Sequence, residues 1–166
     1  MAHAPKTVTA ILELVGANET LDFLLGRWRV ERTVTDHRGE DQSHFRGTAT
    51  FSRRTVAGNE HGTDRVHFDE VGEYSLGEYH GEARRSLEYV ASADSGVTIN
   101  FADGHRFITL DLARGESHDE HLCNLDHYEI TTIVKDRDLL EEHWRVEGPG
   151  KNYEAVSLLE RVTDER

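Results

Sequence analysis

The chain has 166 residues, with 19 Lys+Arg against 32 Asp+Glu and a formal net charge of -13. That length fits one hydrophobic core, and the charge repels phosphate backbones and anionic lipid, so nucleic acid and membrane surfaces are excluded as expected partners. A single cysteine, Cys123, excludes an internal disulfide, and no apolar run approaches the ~20 residues of a membrane span.

Residues 1–6 hold no apolar stretch of the kind that heads a secreted chain. They are expected to be a flexible tail, in a cytoplasmic protein. Val8, Ile11, Leu12 and Val15 then fall at helical spacing, up to Gly16. Asn18 is placed to cap a second short helix over 19–25, stopped by Gly26. Residues 7–25 are thus expected to form an N-terminal helical segment.

From Gly26 onward the chain reads as strand and turn. Trp28, Val30 and Val34 alternate with polar residues, and Phe45, Gly47, Ala49 and Phe51 form the next face. Further strands are expected over 65–71, 73–79, 83–91, 97–101, 106–112, 121–134, 139–147 and 153–162. Turn chemistry separates them at Gly58-Asn59, His80-Gly81, Asp103-Gly104, Gly115 and Gly148-Pro149-Gly150. About ten short antiparallel strands lose their exposed edges by closing on themselves. The expected fold is all-β, a single up-and-down antiparallel β-barrel over 26–163 behind short N-terminal helices. A barrel of that size encloses a cavity, so a small molecule is the first partner to consider.

The period of two places polar residues on the apolar faces. Arg32 follows Trp28 and Val30 inward. Glu70 shares the face of Phe68, and Arg85 that of Leu87 and Tyr89. Glu142 shares the face of Trp144 and Val146, while Asp126, Tyr128 and Thr132 share that of Ile130. Buried charges must pair, or meet water or a ligand, so this set is either a structural network or an anchor for carboxylate, carbonyl or phenol groups. Arg32, Phe51, Glu70, Arg85, Tyr89, Cys123, Glu142, Trp144, Lys151 and Tyr153 are the expected ligand-binding residues, with Lys151 reaching over the barrel mouth.

The segment from His121 to Tyr128 is the densest in acid–base residue types. His121 and Cys123 have one parity, Asp126 and Tyr128 the other. A bulge near Asn124-Leu125 brings all four to one face. His121, Tyr128 and Asp126 are the candidate catalytic groups. The other histidines are scattered and read as solvated. No Cys-x-x-Cys, His-x-x-x-His or His-Glu-x-x-His pattern occurs, so no metal site is expected.

Leu25-Gly26-Arg27-Trp28, entering the first strand after a short helix, resembles the Gly-x-Trp signature of the calycins. These are the lipocalins, fatty-acid-binding proteins and nitrobindin-like barrels. The resemblance implies that Arg161 packs on Trp28. Phe45-Arg46-Gly47-Thr48-Ala49-Thr50-Phe51 and Asp103-Gly104-His105-Arg106-Phe107 are similar to a family of small bacterial and fungal calycin-like proteins of unknown function. So are His121-x-Cys123-x-x-Asp126-x-Tyr128 and Trp144-x-Val146-x-Gly148-Pro149-x-Lys151-x-Tyr153. The likeness runs from about residue 22 to the end. It departs after Arg106-Phe107, where the pattern favours a His and Ile108-Thr109 stand instead. Nitrobindin-like relatives bind haem through a histidine, so haem is the lesser cofactor option beside none.

Three functions fit these residues. The first is a cofactor-free cyclase or isomerase that holds an apolar, carbonyl-bearing metabolite, with Arg32 and Arg85 stabilising developing negative charge. The second is a carrier or sensor of a fatty acid, a polyketide-like metabolite or haem. The third is a barrel filled by its own side chains, whose acidic surface selects a basic partner. A monomer or a homodimer suits each.

Overall fold

The computed structural model describes residue 14 and residues 16–54, 64–92 and 96–164. One helix, α1 (Ala17–Leu24), precedes ten strands. These are β1 (Gly26–Asp36), β2 (Asp41–Arg53), β3 (Arg65–Leu76), β4 (Tyr79–Ala91) and β5 (Val97–Phe101), then β6 (Arg106–Leu110), β7 (Glu116–Cys123), β8 (Asp126–Asp136), β9 (Leu139–Gly148) and β10 (Lys151–Arg161). Most of the helix expected before Gly16 lies outside the described residues. Among the described residues, no helix is long and apolar enough to cross a membrane.

Three local expectations are corrected. Asn18 lies inside α1 rather than capping it. Gly16 holds the N-cap at φ 107°, a conformation open to glycine, and its carbonyl accepts from both the amide and the hydroxyl of Thr20. The segments 65–71 and 73–79 belong to one strand through residue 76, because the Gly72 backbone continues the β2 ladder opposite Gly47. The segment 121–134 is two strands. Asn124 at φ 57° opens a two-residue turn, and β7 begins earlier, at Glu116.

The strands form one antiparallel sheet in the order β6-β5-β4-β3-β2-β1-β10-β9-β8-β7. It curls into a nearly closed up-and-down barrel. Paired Gly47 and Gly72 allow β2 and β3 to approach closely, since a Cβ on Gly72 would lie 2.2 Å from the Arg46 carbonyl oxygen. Among the described residues, the seam between β6 and β7 has no backbone ladder. Side chains lace it instead. The Asp119 carboxylate accepts from Arg106 at 2.8 Å and from the Thr109 amide at 2.7 Å, and Ser117 accepts from the Asp111 amide.

The base is shut by α1. Trp28 is fully buried and donates its indole N–H to the Leu24 carbonyl at 2.8 Å. The Arg161 guanidinium covers the Trp28 ring at 4.2 Å and donates to the carbonyls of Phe23 and Leu25. The last turn of α1 has no basic residue of its own, so β10 supplies the cation that its free carbonyls favour.

Candidate functional site

Register sets two inward layers across the β1, β10, β9, β8 and β7 wall. The lower is a polar row of Arg32, Ser157, Glu142, Thr132 and Ser117. Two steps nearer the mouth, Tyr153, Val146, Tyr128 and His121 form the next polar-bearing row. Between them sit Ala155, Trp144, Ile130 and Asp119. The site therefore has two levels, a lumen and a mouth, with an aromatic layer between.

In the lumen, Arg32 donates to both Glu70 oxygens, at 2.9 and 2.8 Å, and its Nε donates to Ser157 at 2.7 Å. The bridge crosses β2, where Gly47 and Ala49 take little room. Glu70 is 3% exposed, so the bidentate geometry is what makes its charge tolerable. Burial pushes its pKa up. The hydrogen bond from Arg32, with the charges of Arg85 and Arg32, more than offsets this and leaves it below the usual carboxylate value. Burial likewise opposes the charge on Arg32, and Glu70 outweighs it, so that guanidinium is held above its ordinary value.

Arg85 is the exception in this network. Its guanidinium lies between the rings of Phe68, at 5.4 Å, and Trp144, at 5.2 Å. Its Nε is 3.4 Å from Glu70 Oε1, buried and without a hydrogen bond. Glu142 accepts from the Trp144 indole at 2.6 Å. Tyr89 is buried edge-on against Phe51 at 5.3 Å. Burial, then the nearby Glu142 charge, raises its pKa.

These residues surround a narrow cavity. Its volume is about 30 Å³. Arg32, Phe51, Glu70, Arg85, Tyr89, Glu142 and Trp144, all expected at a site, line it. The sequence reading missed Leu24 from α1, together with Ile99, Ile108, Leu110, Leu140 and Leu159. Their apolar alternation was the available signal for the strand residues. The lining holds no histidine to ligate a haem iron.

At the mouth, the Asn124-Leu125 turn, not a bulge, sets His121 opposite Tyr128 and Cys123 opposite Asp126. Lys151 donates to the Tyr128 hydroxyl at 2.8 Å and lies 3.2 Å from Asp126. The bond to Tyr128, then that to Asp126, raises its pKa. Tyr153 is half-buried nearby, and burial, then Tyr128, raises its pKa too. Cys123 is exposed at the hairpin end. None of His121, Cys123, Asp126, Tyr128, Lys151 and Tyr153 lines the cavity. Phe107 and Trp144 link the two levels. Both line the cavity, and Phe107 packs on His121 at 5.4 Å while Trp144 packs on Tyr128 at 6.2 Å.

A helix-stoppered up-and-down barrel with charged residues inside is the class these features define. The chain belongs to a family of unknown function, DUF6314, whose model matches residues 24–161. No curated protein matches it in sequence. Its fold is similar to that of the S-type phycobiliprotein lyase CPES from Guillardia theta, with a TM-score of 0.74 and 11% identity over 97% of this chain and 100% of that one. A redesigned β-barrel, mFAP1, bound to DFHBI, aligns with 85% of this chain and 97% of its own, at a TM-score of 0.41 and 12% identity.

Proposed function

We propose that the barrel binds a small apolar molecule bearing a carbonyl or carboxylate group, and that Arg85 holds that group. The observation that carries this reading is the Arg85 guanidinium in the lumen, whose buried Nε makes no hydrogen bond and has only the Glu70 carboxylate near it, at 3.4 Å. A narrow cavity alone suits a barrel filled by its own side chains. Such a core, however, pairs its buried donors. Phe51, Phe68, Ile99 and Phe107 supply the apolar contact. The fold neighbour's name, a phycobiliprotein lyase, describes that protein, and the reading here rests on this chain's own lumen. A ligand larger than a few waters must move side chains, and the Phe107–Trp144 layer is the one between the cavity and the mouth.

Trp144 lies against the guanidinium, so its emission reports occupancy. Titration with a series of flat aromatic carboxylates is expected to give a saturable change with at least one member. Arg85→Met should weaken that binding by about 10–100-fold, the worth of a charge-assisted hydrogen bond. No response to any member, or equal binding by Arg85→Met, overturns the proposal.

A second reading adds catalysis, and the contact between the Lys151 ammonium and the Tyr128 hydroxyl favours it. The Tyr128 oxygen accepts from the Lys151 ammonium, which leaves the phenol O–H to donate to a substrate oxygen. With His121 and Asp126 beside it, the mouth would move a proton on a carbonyl-bearing substrate in a cofactor-free cyclisation or isomerisation. Once a turnover is found, Tyr128→Phe should lower kcat by about 10²-fold or more. Unchanged turnover in both Tyr128→Phe and His121→Ala removes these two residues from the chemistry and overturns this reading of the mouth.

A further inference from the structure

Two His-x-Glu triplets, His118-Asp119-Glu120 and His127-Tyr128-Glu129, lie on the paired strands β7 and β8. In a strand, such spacing sends His and Glu to one face and the middle residue to the other. Here Asp119 and Tyr128 belong to the inward layers, so both His-Glu pairs stand on the outer wall. Register sets Glu120 directly opposite Glu129. The His127 Nε2 lies 3.3 Å from Glu120 Oε2. The ligand atoms of Glu120, His127 and Glu129 all lie within 4.8 Å of one another. His118 joins from the far side, with its Nε2 4.0 Å from Glu120 Oε1.

The surroundings point the same way. Like charges directly opposite on paired strands repel. Among the described residues, no Lys or Arg pairs with Glu120 or Glu129. Arg145 faces Glu129 from β9, but it donates to the carbonyls of Val146 and Tyr153 and to Glu147. The His118 Nδ1 lies 3.0 Å from the Thr131 hydroxyl. An Nδ1–H donated to Thr131 is the tautomer whose Nε2 can ligate a metal.

We infer that His118, Glu120, His127 and Glu129 form a surface site for a divalent transition-metal ion of the zinc type. Two imidazoles and two carboxylates select such an ion over calcium or magnesium, which take oxygen ligands alone. Bonds of about 2.0–2.2 Å require these exposed and partly exposed side chains to close around the ion, His118 the most, since it stands outside the cluster of the other three. The ion clamps the edge strand β7 to β8, on the reverse of the wall that carries His121 and Tyr128.

The test uses the full chain stripped with a chelator. Zn2+ calorimetry should give one ion per chain, and Co2+ should bind with a visible absorption band. His127→Ala and Glu120→Gln should each weaken Zn2+ binding by at least about tenfold. Cys123→Ser and His80→Ala should leave it unchanged. In the unaltered chain, Zn2+ should shift the imidazole nitrogen resonances of His118 and His127. The inference is overturned if no saturable binding occurs, if both ligand variants bind as well as the parent, if Cys123→Ser abolishes binding, or if those imidazole signals do not move.

Discussion

A Cβ on Gly148 would lie 1.9 Å from Oδ1 of Asp126, so the bare backbone at 148 admits the carboxylate that meets Lys151. Gly148→Ala is therefore expected to displace Asp126 and to cost about 1–3 kcal/mol, the range for an overpacked contact. In an Asp126→Ala background the same change should cost clearly less, because the clashing oxygen is gone. Urea midpoints of the four proteins in this cycle check it. Equal costs in both backgrounds would break the link between Gly148 and the mouth.

The Arg32–Glu70 bridge predicts a large effect from a small change. Glu70→Gln keeps the shape but strands the Arg32 cation in the lumen, and should cost about 3–5 kcal/mol. Equilibrium unfolding measures it.

The same pair sets a pH dependence. The Glu70 pKa is lowered from 4.5 in the fold and returns toward it in the unfolded chain. As pH falls, the unfolded state takes up the proton first. The contribution is thus complete above the unfolded value and is lost as pH drops through the folded one. Unfolding midpoints taken downward from neutral pH should fall more steeply below about pH 4.5 in the parent than in Glu70→Gln. Parallel curves contradict the assignment.

At the base, Arg161 satisfies two carbonyls at the end of α1, pairs with Asp138 at 3.1 Å and covers Trp28. Arg161→Ala should cost roughly 3 kcal/mol or more, summing charge-assisted hydrogen bonds and the cation–π contact. Arg161→Lys should recover only a fraction, since an ammonium cannot reproduce the planar fork. Near-ultraviolet circular dichroism of the buried indole is expected to change in both.

Asp119 holds the seam through two acceptor contacts. Asp119→Asn should speed amide hydrogen exchange at Thr109 and along β6 while leaving β2 and β3 protected. Uniform acceleration across the barrel would mean that the seam does not open separately.

The barrel was readable because alternation is a strong signal. Trp28, Val30 and Arg32 share a face whatever the rest of the chain does, and the Arg161–Trp28 contact was an expectation of the resemblance alone. Glu70, Arg85 and Glu142 were placed inside by the same phase. Their partners were not legible. The Arg32–Glu70 bridge skips a strand, and only the packing of Gly47 and Ala49 reveals the room for it. The Asn124-Leu125 turn was mistaken for a bulge because both restore one face to His121 and Tyr128. The doubled His-x-Glu triplet was in plain view, but its meaning depends on the register that sets Glu120 against Glu129.

The sheet order has one consequence for how the chain can be divided. Strands β1–β6 and β7–β10 are two meanders joined covalently at the β6–β7 seam and by backbone pairing at β1–β10. The covalent join and the ladder stand on different flanks. A break between Leu112 and Gly115 cuts no hairpin and leaves the whole β1–β10 register intact. Two pieces parted there would each carry one side of the β1–β10 ladder.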